Sequence, residues 1–179
     1  MKACRLIQVI EYVTSGELTC GQGEKGGAVR VYLVQHGEAK SEEEDPDRPL
    51  TDRGATEVHR VVGVAAGAGS VMVERIVHSG KTRARQTAAA WGETLGVPID
   101  ESDCLAPRDD PAIWAARVTA ETRDMMLVGH LPHLARLAGI LLAGDPDRPV
   151  IAFRQGGLVG LEEGPAGWSV WLVLPPATA

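Results

Sequence analysis

Two histidines and an arginine, far apart in the chain, stand at equivalent places in its pattern. Gln35-His36-Gly37-Glu38 follows the apolar, β-branched run Val29–Val34. Ser79 follows a second short apolar run, and Arg83 comes four residues later, in the first turn of an expected helix. Gly129-His130 follows a third run and opens another helix. If the three runs are strands of one sheet, these groups meet at its carboxyl edge, where open α/β sheets bind ligands. Helix starts at that edge add free N–H groups and positive dipole ends that suit an anion. A neutral imidazole can attack phosphorus, splitting one displacement into two easier ones. A guanidinium grips phosphoryl oxygens with paired hydrogen bonds. A second histidine, if protonated, stabilises charge that builds on the transferring group. Glycine after His36 allows close approach of the backbone. This chemistry needs no metal and no cofactor.

The surrounding pattern supplies the elements that must position these groups. Residues 74–79, ERIVHS, predict a strand, and Thr82 to Leu95 a helix with Ala84, Ala88, Trp91 and Leu95 on one face; Gly96 ends it. A first helix starts near Leu50, Thr51 or Asp52, with Ala55, Val58, Val62, Ala65 and Ala66 at helical spacing. Residues 109–120 predict a short helix around Trp114, and 124–129 the third strand. LPHLARLAGILLAG predicts an amphipathic helix with Leu131, Leu134, Ala135, Ala138, Leu141 and Leu142 inward. Val150 to Leu174 predicts two or three strands, with turns at Gln155-Gly156-Gly157 and Gly164-Pro165. The alternation implies a three-layer α/β sandwich around a mostly parallel sheet.

Composition narrows the class of protein. The 179 residues fit one domain, which buries about 70% of its unfolded surface and needs no staple. With 18 Lys+Arg against 24 Asp+Glu, the net charge of −6 argues against nucleic acid as a partner. Cys4, Cys20 and Cys104 are scattered and without zinc-finger spacing, which points to a reducing cytoplasm. No apolar run approaches the ~20 residues of a membrane span, and the N-terminus lacks a secretory pattern. A monomer is expected. Residues 1–28 carry no motif and read as a flexible, dispensable extension, with the domain proper at 29–179. A further reading places the native start at Val29, since Glu24-Lys25-Gly26-Gly27 can be encoded by a purine-rich stretch like a ribosome-binding site.

Four ordered segments carry a family resemblance. VYLVQHGEA resembles the LxxRHGE-type signature of the histidine phosphatase superfamily, and RPLTDRGATE its PLTxxG segment. HSGKTRARQTA resembles the SxxxRxxQT segment, and LVGHLP the segment of the second histidine. The short spacing, with no inserted cap domain, is most similar to the SixA-type phosphohistidine phosphatases. The resemblance implies the phosphoglycerate-mutase-like fold, His36 as nucleophile, Arg83 as phosphate clamp and His130 as the second active-site histidine. It implies a phosphorylated protein or a small phosphorylated molecule as substrate.

One departure matters. Family members usually carry arginine before the nucleophilic histidine, and here that residue is Gln35. Losing one charge-assisted pair removes roughly 2–4 kcal/mol of transition-state stabilisation, about 30- to 1000-fold in rate. The chain is then a slower enzyme, one that recruits another cation, or a phosphate-binding relative. Arg48, which resembles an arginine of the SixA-type segment, either restores that charge or pairs with Asp45 or Asp47 in its loop. Glu38 is either a general acid or a group that orients the backbone or His36. Lys81 and Arg85 are expected on the surface, His59 on a helix surface and His78 at a strand end. His133, three residues from His130, has no third ligand in view and is expected to be an exposed helix residue. The acidic run Glu42 to Asp47 would repel free polyanions from a neighbouring phosphate pocket.

Overall fold

The computed structural model describes residues 28–176. Cys4, Cys20 and the extension expected over 1–28, apart from Ala28, lie outside the described residues.

Six strands form one sheet: β1 (Arg30–Gln35), β2 (Arg75–His78), β3 (Ile99–Glu101), β4 (Met125–Gly129), β5 (Leu158–Gly164) and β6 (Gly167–Leu174). Their order is β3-β2-β4-β1-β5-β6. The first four run parallel to one another, and β5 and β6 are antiparallel. Four helices flank the sheet: α1 (Asp52–Gly67), α2 (Thr82–Leu95), α3 (Pro111–Thr119) and α4 (His133–Ala143). The sandwich inferred from the alternation is therefore present.

Side-chain alternation along β1 builds both cores. Tyr32 and Val34 pack with Val58, Val62 and Trp91 of α1 and α2. Val31 and Leu33 pack with Trp114, Leu134 and Leu137 of α3 and α4. Val31 to Gln35 are all buried, as a central parallel strand requires. Of the four tryptophans, Trp91 and Trp114 lie in the core, and Trp168 and Trp171 are half-buried on the β6 side.

The sequence pattern misses or misplaces several features. Strand β3 is only Ile99–Glu101, too short for an alternation to register. Helix α4 begins at His133, with Pro132 as its cap, two residues later than the LPHLARL pattern suggests. Leu131 therefore precedes the helix and is 39% exposed instead of facing inward. Ala135, Leu141 and Leu142 are only half-buried, and the inward face is His133, Leu134, Leu137, Ala138 and Gly139. His133, expected on the surface, is fully buried. In α1, Ala55 and Ala66 flank the buried face, which Gly54 and Val61 complete.

Candidate active site

Parallel strands β1, β2 and β4 end at one edge, so the residues that follow them converge. His36 continues the β1–β4 ladder by one step, its backbone N–H donating to the Gly129 carbonyl at 3.1 Å. Gly37 then packs against the first turns of α1. A Cβ on Gly37 would lie 2.7 Å from Cγ2 of Val58 and 3.1 Å from the Gly54 carbonyl, so packing demands glycine there. The Gly37 N–H donates to Thr87 Oγ1 at 3.1 Å. Thr87 in turn donates to the Arg83 carbonyl at 2.8 Å. That buried threonine ties the His36 loop to the helix that carries Arg83.

The His36 ring is held at both nitrogens. Arg83 Nε donates to His36 Nε2 at 3.2 Å. A guanidinium can only donate, so Nε2 holds the lone pair and the proton sits on Nδ1. Nδ1–H donates to the Gly37 carbonyl at 2.7 Å. The His130 ring stands beside it, centroids 4.9 Å apart at 55°. Ser79 Oγ meets His130 Nε2 at 2.6 Å. His36, Arg83 and His130, distant in sequence, are thus one buried cluster.

Burial pushes the His36 imidazole down to about 4, with Arg83 and Arg48 adding to the fall and the Gly37 carbonyl opposing it. Burial, then His36, Arg83, Lys81 and His133, push His130 down to about 3. Both rings are therefore neutral at pH 7 with no anion bound. Arg83 is also lowered, by burial and then by Arg48. The positive charge of two guanidiniums thus bears on the neutral His36 imidazole, and that of Arg83 on His130 as well, an arrangement that draws in an anion.

Arg48 is part of this field. It lines a cleft of about 360 Å³ with Glu42, Pro46, Asp47, Gly80, Lys81, Thr82 and Arg83. Its Nε donates to the Lys40 carbonyl at 3.2 Å. It makes no ion pair with Asp45 or Asp47. Glu38 is turned elsewhere: its Oε1 accepts from Thr51 Oγ1 at 2.9 Å, while Thr51 Oγ1 accepts from the Gly54 N–H and caps α1. Gln35 is buried on the face shared by Val31 and Leu33, and its Oε1 has no hydrogen-bond partner among the described residues. Among the described residues, no group of three or more His, Cys, Asp or Glu side chains is placed to hold a metal ion, and no helix is long and apolar enough to cross a membrane.

Sequence reasoning gave no role to Thr87 or to the buried position of His133. Thr87 is legible as the residue one turn after Arg83 on the inner face of α2. His133 is legible once α4 is counted from His133, since 133, 134, 137 and 138 share a face.

The model of the histidine phosphatase superfamily (branch 1) matches residues 31–149, and the chain belongs to that superfamily. Phosphohistidine phosphatase SixA of Escherichia coli (strain K12) is 27% identical over 154 residues, covering 82% of this chain and 94% of that protein. An uncharacterised protein of Picosynechococcus sp. (strain ATCC 27264 / PCC 7002 / PR-6) is 31% identical over 146 residues, covering 77% and 87%. The solved structure of a protein histidine phosphatase SixA complexed with tungstate superposes with a TM-score of 0.72 at 24% identity, covering 83% of this chain and 97% of that one.

Proposed function

We propose that this protein is a phosphatase that carries phosphate covalently on His36, and that its substrate is phosphohistidine on a signalling or phosphotransfer protein. The observation that carries the reading is the His36 ring, whose Nδ1 proton is pinned to the Gly37 carbonyl while Nε2 keeps a lone pair under Arg83. An arriving phosphoryl dianion draws the Arg83 guanidinium onto its oxygens and uncovers that lone pair. Nε2 then forms a bond to phosphorus as the bond to the substrate's nitrogen breaks, the electron pair leaving with that nitrogen. The retained Nδ1 proton keeps the phosphorylated ring cationic and a good leaving group. Water attacks phosphorus in the second step, the P–Nε2 bond breaks, and its electron pair returns to Nε2. The water proton passes to solvent and inorganic phosphate departs.

Two features favour phosphohistidine. An imidazole leaves with far less need of a proton than an alkoxide, and the nearby carboxylate of Glu38 is engaged by Thr51. Every described element belongs to the sheet or its two flanking layers, so none is left to cap the site against a side chain presented by another protein. The E. coli relative named above is a phosphohistidine phosphatase. The 360 Å³ cleft beside Arg83 supports a second reading, a small phosphorylated metabolite. Arg48 supplies the second guanidinium that Gln35 lacks, which weighs against a non-catalytic phosphate binder.

Incubation with a phosphohistidine protein, quenched in alkali and read by mass spectrometry, is expected to show the adduct on His36, and His36→Ala is expected to abolish turnover. Near-normal turnover by His36→Ala rejects the mechanism. A higher kcat/KM for a sugar phosphate than for the phosphohistidine protein rejects the substrate.

A further inference from the structure

We infer that Ser79 is a positioning residue that fixes the proton of His130 on Nε2, so that His130 meets the phosphoryl group as a neutral N–H donor. The inference deepens the reading above and rests on it for the identity of the anion.

The two nitrogens of His130 have unequal surroundings. Nδ1 is buried and has no hydrogen-bond partner among the described residues. Nε2 lies 2.6 Å from Ser79 Oγ. A proton on Nδ1 would leave a buried N–H unpaired, which native structures tolerate less readily than an unpaired acceptor. A proton on Nε2 donates to the serine oxygen and leaves only a lone pair bare. The hydroxyl can fill either role toward an imidazole, so the bare Nδ1 decides the direction. Nε2–H therefore donates and Ser79 Oγ accepts.

The turn that carries Ser79 is itself braced. Gly80 has φ +76°, and its N–H donates to Nδ1 of the buried His78 at 3.1 Å. A Cβ at Gly80 would run into the Glu101 carboxylate. The Ser102 N–H ties β3 to the His78 carbonyl at 3.0 Å. His78, expected only as a strand-end residue, thus helps hold the serine at the histidine.

The chemical consequence is specific. When phosphate arrives, Nε2–H exchanges the serine oxygen for a phosphoryl oxygen. It stabilises charge developing there without transferring a proton, since a neutral imidazole N–H is far too weak an acid to protonate a leaving group. Arg83 then supplies the charge and His130 the direction.

Long-range proton–nitrogen NMR of the histidine-labelled full chain at pH 7 tests this directly. His130 is expected to be neutral, with Nε2 protonated and Nδ1 bare. In Ser79→Ala the two tautomers should mix and kcat should fall about tenfold with KM changed less than about twofold. Ser79→Thr, which keeps the hydroxyl, should restore both. A wild-type His130 that is cationic or protonated on Nδ1 overturns the inference, as does an unchanged tautomer in Ser79→Ala. The expected tautomer shift in a protein that forms no adduct on His36 supports the role of Ser79 and rejects the phosphatase reading instead.

Discussion

The sheet has two unlike halves. Strands β3, β2, β4 and β1 are parallel, and the candidate catalytic groups lie in the segments that follow β1, β2 and β4, whereas the β5–β6 hairpin carries none of them. Parallel strands all finish at the same edge, so His36, Ser79 and His130 converge without any contact between their sequences. An antiparallel pair sends its strands to opposite edges. The turn just before β5 meets the site, where the Gly156 N–H is shared by the Gln35 and His36 carbonyls at 2.9 and 3.1 Å. The hairpin thus supports the backbone of the nucleophile's loop, and the parallel half supplies the chemistry.

Substitutions should separate the halves, and even neighbours within one of them. Arg83→Ala is expected to lower kcat/KM by about 100- to 1000-fold, the usual loss for a transition-state donor. Arg85→Ala, two residues on and exposed, should change it by less than about threefold. Steady-state kinetics on the same substrate compares them, and equal losses would dissolve the distinction between clamp and surface.

Glycines offer a smaller contrast, read in stability. A Cβ at Gly54, in the first turn of α1, would strike the backbone of Glu38. Gly54→Ala should therefore destabilise by about 2–4 kcal/mol despite alanine's better helix propensity. Gly164, at the hairpin turn, meets nothing closer than 3.9 Å. Gly164→Ala should stay within about 0.5 kcal/mol. Denaturant midpoints measure both.

The last contrast is a slope in pH. The unfolded chain binds protons on these histidines near pH 6.5, while the native His36 does so only near 4 and His130 near 3. Their contribution to stability is thus complete above 6.5 and is lost as pH falls through 6.5 toward about 4 for His36 and about 3 for His130. His36→Asn should flatten part of that decline in melting temperature. The hairpin has no histidine and should add nothing to it.

Much of the parallel half was legible. The β-branched runs, the glycine stops and the amphipathic faces mark β1, β2, β4 and α1 to α4, because each repeats its own period over several residues. Strand β3 escaped for lack of length. The inward set of α4 differs because Leu131 precedes the helix and because Ala135, Leu141 and Leu142 stand at the margin of the buried face, which His133 and Leu137 complete. His133 was expected at the surface because no third metal ligand was in view, yet it is fully buried.

The candidate site divides in the same way. Residue type and order alone singled out His36, Arg83 and His130, because attack on phosphorus, its electrostatic grip and a second donor each need a particular functional group. Only the tertiary structure decided which nitrogen of His36 is free, which nitrogen of His130 meets Ser79, that Arg48 faces the cleft, and that Glu38 is engaged by the threonine that caps α1. Those matters depend on directions and on distances of a few ångströms between segments up to 94 residues apart, from His36 to His130. Folding sets them through the shared edge of parallel strands, and no local spacing in the chain encodes them.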